Sequence, residues 1–337
     1  MIKTDEGIVV LESRPGIEFE NGGVLNPACV EKDGLIHMFY RAVGKGNFST
    51  IGYCQIKDNQ VIYQTDKPLL VPEYDYESGG MEDPRITLFE GKYYLLYTAY
   101  DGKSALIAYA TSPDLKTWDK KGVISAQMSY DRAEDIFRNN KLDRRYGLFE
   151  QWYRFAIGDN VKLWEKDAAL FPKRIDGKIA MIHRVLPGIQ ICYFDKFEDL
   201  NNEYWEKYLA NLDDYIVLDP QEKFEGAYVG GGCVPLETND GWLLIYHGVN
   251  IKNNLRIYHA GAMLLDINDP KKVIGRLPYP LFSPQADWEK QGVVNNVVFP
   301  TGAIVKDGLL SIYYGAGDKR IAVKSVIIKD LLEELKK

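Results

Sequence analysis

One pattern recurs five times along this chain of 337 residues: a glycine, five residues, Tyr or His, one residue, then Ala or Val. The copies span residues 34–42, 91–99, 177–185, 241–249 and 308–316. A proline stands five to eight residues before each glycine, at Pro27, Pro84, Pro172, Pro235 and Pro300. A recurrence of this kind indicates a repeat architecture in which each copy is one supersecondary unit.

Each copy has the pattern of paired strands. Apolar runs such as LIHMFY at 35–40 and WLLIYH at 242–247 follow the glycines, and Asp-Gly turns such as EKDG at 31–34 precede them. Asp-Gly between apolar runs is a strong hairpin signal. Repeated groups of strands at this period predict an all-β fold, a five-bladed β-propeller. We predict one catalytic domain spanning residues 1–337.

The spacing of the five glycines is uneven. Consecutive glycines are separated by 57, 86, 64 and 67 residues. The longest interval predicts an insertion, at about 127–160, between blades 2 and 3. Its sequence is rich in charge and partly helical in pattern, with arginines at 132, 138, 144, 145 and 154. It is expected to shape either the leaving-group side of a site or an interface. A second helical stretch is predicted at 197–212 and a short helix at the C-terminus.

Composition excludes several classes of function. The net charge of −7 lacks long basic runs, which argues against nucleic acid as a partner. The four cysteines form no CxxC pair, so we expect buried free thiols and no metal site. No apolar run is long enough to cross a membrane, and the N-terminus lacks a signal core, so a cytoplasmic location is expected. Homo-oligomerisation is left open.

The repeat also indicates where a site would lie. The first strand of each propeller blade lines the central funnel, so the residues before the five prolines should converge there. They are Asn26, Asp83, Phe171, Val234 and Phe299. Asp83 is the ionisable one, although Asp before Pro is also a common turn residue. The ends of the repeat strands add Arg41, Arg184 and His247. A structural ion pair would also explain each arginine, and an ordinary core histidine would explain His247. Such a funnel suits a neutral polyhydroxylated ligand together with an anion.

These residues stand in a series of motifs that resembles glycoside hydrolase family 130, whose members include β-mannoside phosphorylases and β-mannosidases on a five-bladed propeller. The resemblance runs nearly end to end. Its motifs are NPACV at 26–30, FYRAVG at 39–44, GGMEDPRI at 79–86, KDAALFP at 166–172, IHR at 182–184, GWLLIYHGV at 241–249, LLDINDPKKVIGR at 264–276, VVFPTGA at 297–303 and YYGAGD at 313–318.

The resemblance implies a role for each matching residue. Asp83 would be the general acid, acting directly or through a hydroxyl of the bound mannose. The residues expected at the mannosyl ring are Asn26, Arg41, Arg85 and Asp318. The residues expected to bind phosphate are Lys166, Arg184, His247 and Tyr258. A fifth phosphate position departs from the family, because Tyr228 stands where phosphorylases have a lysine. An arginine of the insertion is a candidate to replace that charge.

Three functions follow from this set. The favoured one is inverting phosphorolysis of β-mannosides to mannose 1-phosphate, with an oligosaccharide substrate, inorganic phosphate as co-substrate and no other cofactor. The alternative is an inverting hydrolase, in which Glu225 would be the base that activates water. A non-catalytic carbohydrate-binding propeller is a further alternative, and the intact EDPR context of Asp83 argues against it.

Overall fold

A computed structural model describes residues 2–137, 140–158 and 161–337. The structure is mostly β, and its strands fall into five antiparallel units. Unit 1 comprises β2 (Gly23–Lys32), β3 (Leu35–Val43), β4 (Ser49–Lys57) and β5 (Gln60–Gln64). Unit 2 comprises β6 (Gly80–Phe89), β7 (Lys92–Tyr100), β8 (Ala105–Ser112) and β9 (Asp119–Val123). Unit 3 comprises β10 (Lys166–Leu170), β11 (Ile179–Arg184), β12 (Ile189–Phe194) and β13 (Ile216–Leu218).

The last two units complete the set. Unit 4 comprises β14 (Tyr228–Gly231), β15 (Leu236–Thr238), β16 (Gly241–Lys252), β17 (Leu255–Leu265) and β18 (Val273–Arg276). Unit 5 comprises β19 (Val298–Lys306), β20 (Leu309–Ala316), β21 (Arg320–Ile327) and β1 (Ile8–Leu11). The N-terminal strand β1 pairs with β21, so the two ends of the chain meet in one sheet. Units 1 and 2 are joined by one parallel bridge, Ser49 to Gly80.

The five repeat segments form the second strand of every unit, as the sequence predicts. In unit 1 the turn residues Asp33 and Gly34 have φ of 53° and 75°, which suits a tight hairpin. Unit 4 differs, because Gly241 lies inside β16 with φ of 139° instead of in the turn. The structural equivalent of Tyr40 in unit 4 is therefore Tyr246, one residue before the His247 that the repeat pattern aligns with it.

Apolar side chains pack between consecutive units. Five buried clusters lie between units 1 and 2, 2 and 3, 3 and 4, 4 and 5, and 5 and 1. The last cluster includes Leu11 of β1 together with Met38 of unit 1 and Tyr313 of unit 5. Burial of apolar area at about 25 cal/mol per Å² makes these contacts the main stabilising term of the fold.

A buried glutamate accompanies each unit. It lies near the start of the unit, is fully buried, and contacts an aromatic side chain of the second strand. The pairs are Glu20–Tyr40 at 2.7 Å, Glu77–Tyr97 at 2.6 Å, Glu165–His183 at 2.8 Å, Glu225–Tyr246 at 2.5 Å and Glu289–Tyr314 at 2.6 Å. In the four tyrosine pairs the phenol donates to the carboxylate. A buried carboxylate is costly unless it is paired, so this recurring contact ties the start of each unit to its second strand.

Helices lie in the three stretches where the sequence predicts them, and a further short α-helix lies outside those stretches. The insertion carries α1 (Tyr130–Phe137) and α2 (Arg145–Ile157), and the stretch at 197–212 contains α3 (Asn202–Leu209). The short α4 (Asp287–Lys290) precedes unit 5, and α5 (Ile328–Leu335) ends the chain. Residues 138, 139, 159 and 160 of the predicted insertion, including Arg138, lie outside the described residues. Within the described ranges, no helix is long and apolar enough to cross a membrane. Cys29, Cys54, Cys192 and Cys233 are free thiols.

Candidate active site

The first strands of units 1, 2 and 3 share a bulge that carries a polar residue. The pairing register shifts at Asn26 in β2, at Asp83 in β6 and at Asp167 in β10. All three residues adopt the left-handed conformation, with φ of 50°, 50° and 57°. Bulges re-aim side chains, and Asn and Asp tolerate positive φ better than most residues do. This local geometry places an amide and two carboxylates in one pocket.

The expectation that the residue before each proline faces the site is therefore wrong in unit 3. Phe171, the residue before Pro172, follows β10 and packs edge-on against Trp242 at 5.0 Å in the apolar core. The residue equivalent to Asn26 and Asp83 is Asp167, which the sequence analysis did not select. Val234 of unit 4 likewise follows β14 and packs at the edge of a core cluster. Aligning the motifs on Asn or Asp instead of on Pro, as in NPAC, DPRI and DAAL, would have found Asp167.

The bulge residues open onto a cavity of about 140 Å³. Its walls come from all five units. The lining residues are Asn26, Arg41, Asp83, Lys166, Asp167, Arg184, Tyr228, Tyr258, Val297, Phe299 and Asp318. Eight of the eleven site residues named from the sequence line this cavity, and Glu225, Arg85 and His247 do not.

Asp83 accepts a hydrogen bond and faces a cation in this cavity. Its Oδ1 accepts from Asn26 Nδ2 at 2.8 Å and lies 3.5 Å from Arg41 Nη1. Burial alone would raise the pKa of Asp83, but the charges of Arg41 and Lys166 and the Asn26 hydrogen bond outweigh it and lower that pKa. Asp83 is consequently ionised at neutral pH when the cavity holds no anion.

Glu82, the neighbour of Asp83, connects two cations of the site. Arg41 Nη2 lies 2.8 Å from Glu82 Oε1, and Lys166 Nζ donates to Glu82 Oε2 at 2.9 Å. The pKa of Lys166 is raised because the attraction of Glu82 and Asp83 exceeds the opposing effect of burial. Glu82 was not selected from the sequence, although it stands in the same EDPR motif as Asp83.

A second group surrounds Arg184. Its Nη1 lies 2.9 Å from Asp167 Oδ2 and donates to His247 Nε2 at 3.2 Å, and its guanidinium stacks over the ring of Tyr228 at 5.4 Å. Burial and the charges of Arg184 and Arg85 hold the pKa of His247 well below its usual range, so this imidazole is neutral. His247 thus contacts two residues that line the cavity. One is Arg184, and the other is Phe299, whose ring centroid lies 4.4 Å from that of His247.

Arg85 is a supporting residue, contrary to its predicted contact with substrate. It is 1% exposed and stands behind Asp83. Its guanidinium donates to the backbone carbonyls of Asp83 at 2.9 Å and of Gly231 at 3.2 Å, and it also donates to the carbonyl of Gly232. Arg85 therefore links unit 2 to unit 4 and fixes the backbone that presents Asp83.

Tyr228 and Tyr258 form one wall of the cavity. Their hydroxyls lie 2.7 Å apart, and Phe149 of α2 contacts the ring of Tyr228 edge-on at 6.0 Å. The insertion therefore packs against Tyr228, the position where the resemblance predicts a lysine. Arg132 pairs with Glu206 and Arg145 with Asp143 at the surface, so neither supplies the missing charge. The side chain of Arg154 lies outside the described residues.

Asp318 closes the cavity from the turn after β20. Its φ is 49°, and burial raises its pKa to about 6, with Arg41 opposing and Asp83 reinforcing the shift. Four carboxylates and four cations thus meet here: Glu82, Asp83, Asp167 and Asp318 against Arg41, Arg85, Lys166 and Arg184.

Glu225 lies away from this cavity, in the repeated glutamate position of unit 4. It is fully buried, its Oε1 accepts from Tyr246, and its Oε2 accepts from the backbone amides of Gln221 and Glu222 at 3.1 and 3.0 Å. Arg276 pairs with the same oxygen. Both oxygens are therefore engaged, and Glu225 is not among the residues that line the cavity. Among the residues that the structure describes, no group of three or more His, Cys, Asp or Glu is placed to hold a metal ion.

The cavity places a carboxylic acid, Asp83, beside arginine, lysine and tyrosine side chains, an arrangement that suits an anionic ligand next to a polar one. A sequence model of glycoside hydrolase family 130, described as beta-1,4-mannooligosaccharide phosphorylase, matches residues 17–337. The chain belongs to glycoside hydrolase family 130.

Curated relatives agree with this assignment. The chain is 35% identical over 333 residues to a 1,2-beta-oligomannan phosphorylase of Thermoanaerobacter sp., covering 96% of each chain. It is also 35% identical over 330 residues to a beta-1,2-mannobiose phosphorylase of the same organism, covering 93% of this chain and 92% of the relative. The protein is an enzyme of this family, in which phosphorylases use phosphate as co-substrate.

Solved structures share the fold. A beta-1,2-mannobiose phosphorylase from Listeria innocua, in complex with beta-1,2-mannobiose, superposes with a TM-score of 0.72 at 24% identity over 99% of both chains. A glycosyl hydrolase from Bacteroides ovatus superposes with a TM-score of 0.74 at 22% identity, over 96% of this chain and 93% of the other.

Proposed function

We propose that this enzyme cleaves β-1,2-linked mannosides by inverting phosphorolysis and releases mannose 1-phosphate. The observation that carries the proposal is the position of Lys166 and Arg184 beside Asp83 in one cavity. Two cations next to an acid suit an anionic nucleophile, and each charge-assisted contact contributes roughly 1.5–3 kcal/mol. The two relatives at 35% identity are named for β-1,2 linkages, which favours that linkage here.

In this proposal the two sides of the cavity hold different groups. Asn26, Arg41 and Asp318 hold the mannosyl ring, and Asp83 supplies the proton to the leaving oxygen. Lys166, Arg184 and the hydroxyls of Tyr228 and Tyr258 hold phosphate, which attacks the anomeric carbon from the opposite face and so inverts its configuration. Because phosphate is the nucleophile, the protein contributes position and charge and needs no second catalytic carboxylate.

The low pKa of Asp83 shapes this mechanism. Arg41 and Lys166 keep Asp83 ionised when no anion is bound. A general acid, however, must carry a proton when the bond breaks. A bound phosphate dianion would partly neutralise these cations and so raise the pKa of Asp83. Protonation of Asp83 is therefore expected to accompany phosphate binding, which would link the acid to the presence of the nucleophile.

We also propose that the five units are the blades of a propeller. The cyclic order of the five apolar clusters supports this arrangement, since each unit packs against the next and unit 5 packs against unit 1. Pairing of β1 with β21 would then close the ring. A central cavity lined by residues from every unit agrees with it.

The hydrolytic alternative loses its candidate base. An inverting hydrolase needs a carboxylate about 6.5–9.5 Å from the acid with room for water between them. Glu225 is buried, and both of its oxygens already have partners. Besides Asp83, the cavity is lined by two carboxylates, Asp167 and Asp318. Both lie beside arginines, and this arrangement favours anion binding over water activation.

The test is to incubate the protein with β-1,2-mannobiose, with and without inorganic phosphate, and to measure mannose 1-phosphate and free mannose. We expect mannose 1-phosphate at a rate that saturates with phosphate, with one free mannose formed per turnover. Asp83→Asn should reduce this rate by at least about a thousandfold without lowering the melting temperature. Mannose release at the same rate in phosphate-free buffer would instead show a hydrolase, and no turnover in either buffer would refute the β-1,2 linkage proposed here.

A further inference from the structure

We infer that Asp167 is a positioning residue for the anion side of the site, which holds the Arg184 guanidinium where phosphate binds. This inference rests on the proposed phosphorolysis. Its first support is architectural, because Asp167 occupies in unit 3 the bulge position that Asn26 and Asp83 occupy in units 1 and 2. The three residues share the left-handed conformation and line the same cavity.

The second support is the set of contacts around Asp167. Its Oδ2 lies 2.9 Å from Arg184 Nη1, and its Oδ1 lies 3.8 Å from Arg85 Nη2. Arg85 in turn donates to the backbone carbonyl of Asp83 at 2.9 Å. The carboxylate of Asp167 thus stands between the cation that would grip phosphate and the arginine that fixes the acid.

Arg184 is oriented from three directions, and Asp167 supplies the charged one. His247 accepts at 3.2 Å, and the ring of Tyr228 lies 5.4 Å below the guanidinium. His247 is neutral because burial and two nearby arginines lower its pKa, so it orients Arg184 without balancing its charge. A guanidinium binds an oxyanion through two parallel donors, which requires a fixed plane. Asp167 contacts Nη1 of Arg184 and supplies the charged contact that helps to hold this plane.

The surroundings allow Asp167 little freedom. Its side chain is 1% exposed, and a Cβ at Gly230 would lie 2.5 Å from Oδ2, so unit 4 encloses the carboxylate closely. A carboxylate this deeply buried is retained at a desolvation cost, which two arginines offset only in part, since burial still raises the pKa of Asp167. We therefore expect removal of its charge to act on Arg184 first, and on phosphate through Arg184.

The experiment is a double-mutant cycle on phosphate binding with Asp167→Asn, Arg184→Gln and the double variant. KM is measured for phosphate at saturating β-1,2-mannobiose, and for β-1,2-mannobiose at saturating phosphate. Each single variant should raise the KM for phosphate by about tenfold or more, and the double variant should exceed the worse single by less than about threefold. The KM for β-1,2-mannobiose should change by less than about twofold, because Asn26, Arg41 and Asp318 are untouched.

The control is Asp176→Asn, which makes the same substitution at an exposed residue of unit 3 whose φ is 48°. It should leave both KM values unchanged. If Asp167→Asn does not fold, Asp167→Glu replaces it in the cycle, because that change keeps the charge and moves it by one methylene.

Two results would overturn the inference. Multiplicative effects of Asp167→Asn and Arg184→Gln would show that the residues act independently. An equal rise in both KM values would show a general structural role. A wild-type rate that does not depend on phosphate would instead refute the proposed function, and this inference with it. A phosphate-dependent rate with a multiplicative cycle would refute the role of Asp167 alone.

Discussion

At the scale of single residues, the site uses backbone conformations that most side chains avoid. Asn26, Asp83, Asp167 and Asp318 have φ between 49° and 57°. Non-glycine residues seldom adopt positive φ, and Asn and Asp are the common exceptions because their short polar side chains bond locally. The same residue types supply the amide and carboxylates of the proposed sugar site. Backbone geometry and chemistry therefore select the same four side chains, and a larger or β-branched residue would fail on both grounds.

Asp318 provides a test of how much a buried carboxylate at such a position lowers the free energy of unfolding. Its pKa is raised from 3.8 to about 6, mainly by burial. Below about pH 3 the group is protonated whether the chain is folded or unfolded, so it contributes nothing to stability there. Well above pH 6 the folded protein holds a buried charge that the unfolded chain solvates, which destabilises it by about 3 kcal/mol. Asp318→Asn should therefore raise the free energy of unfolding at pH 8 and change it far less at pH 4.

Asp318→Asn should keep the backbone conformation, since Asn also tolerates positive φ. It removes the carboxylate that is proposed to hold the mannosyl ring. We expect the KM for β-1,2-mannobiose to rise by about tenfold while the protein becomes more stable, a trade common at functional sites. Urea unfolding at the two pH values measures the first effect. An equal gain in stability at pH 4 and pH 8 would mean that the charge of Asp318 is not its cause.

At the scale of elements, strand position was predictable and bulge position was not. Asp-Gly turns, and a Glu-Gly turn in unit 2, indicate where the second strand of a unit begins, so the repeat located β3, β7, β11 and β20 from sequence alone. The first strands carry no such signal. In units 1 and 2 a proline follows the bulge residue, but in unit 3 the proline comes five residues after Asp167. Register within a bulged strand depends on neighbouring strands, which one sequence does not show.

The repeated glutamate is a case in which a residue that looked catalytic in the sequence has a structural place in the fold. Glu225 looked chemically suitable as a base because it stands beside the glycine-rich AYVGGG segment. Its equivalents Glu20, Glu77, Glu165 and Glu289 are visible only once the units are superposed in space, because their distance from the paired aromatic ranges from 18 to 25 residues. The five-fold recurrence assigns Glu225 to the structure of unit 4.

We therefore expect Glu225→Gln to affect stability and not turnover. The neutral amide loses the ion pair with Arg276 and a strong acceptor for Tyr246, at a cost on the order of 3 kcal/mol. The matched control is Glu77→Gln, since Glu77 pairs with Tyr97 and Lys120 in the same way in unit 2. Thermal unfolding and the kcat of the folded enzyme are measured for both variants.

The two variants should lose similar stability and keep kcat within about twofold of the wild-type value. A kcat that falls by orders of magnitude in Glu225→Gln, but not in Glu77→Gln, would restore Glu225 as a catalytic residue. The comparison is needed because a destabilised enzyme also loses apparent activity, and the control shows the size of that effect.

At the scale of the whole molecule, the chain ends are joined. β1 pairs with β21, with Ile8 opposite Val323, and Leu11 packs in the cluster between units 5 and 1. Contacts between residues more than 300 positions apart cannot be inferred from the local pattern of either segment. The N-terminal strand thereby supplies the fourth strand that unit 5 would otherwise lack.

The cavity as a whole is balanced in charge, and this balance has a consequence for anion binding. Four cations face four carboxylates, so an arriving dianion meets no net positive charge unless some carboxylates take up protons. Burial raises the pKa of Asp167, and raises that of Asp318 to about 6. A dianion placed beside them would raise both further, because like charge disfavours ionisation. Anion binding near pH 7 should therefore draw protons from solution.

Sulfate is a suitable probe, since it stays a dianion at neutral pH and any proton uptake belongs to the protein. Calorimetric titration with sulfate at pH 7, in two buffers of very different protonation enthalpy, should give observed heats that differ in proportion to the protons taken up. We expect a substantial fraction of a proton per sulfate, and a smaller fraction for Asp318→Asn, because that variant removes a carboxyl whose pKa, about 6, lies close to the measuring pH. Equal heats in both buffers would show that the carboxylates stay ionised. The cations alone would then attract phosphate, and Asp83 would have to acquire its proton from another source.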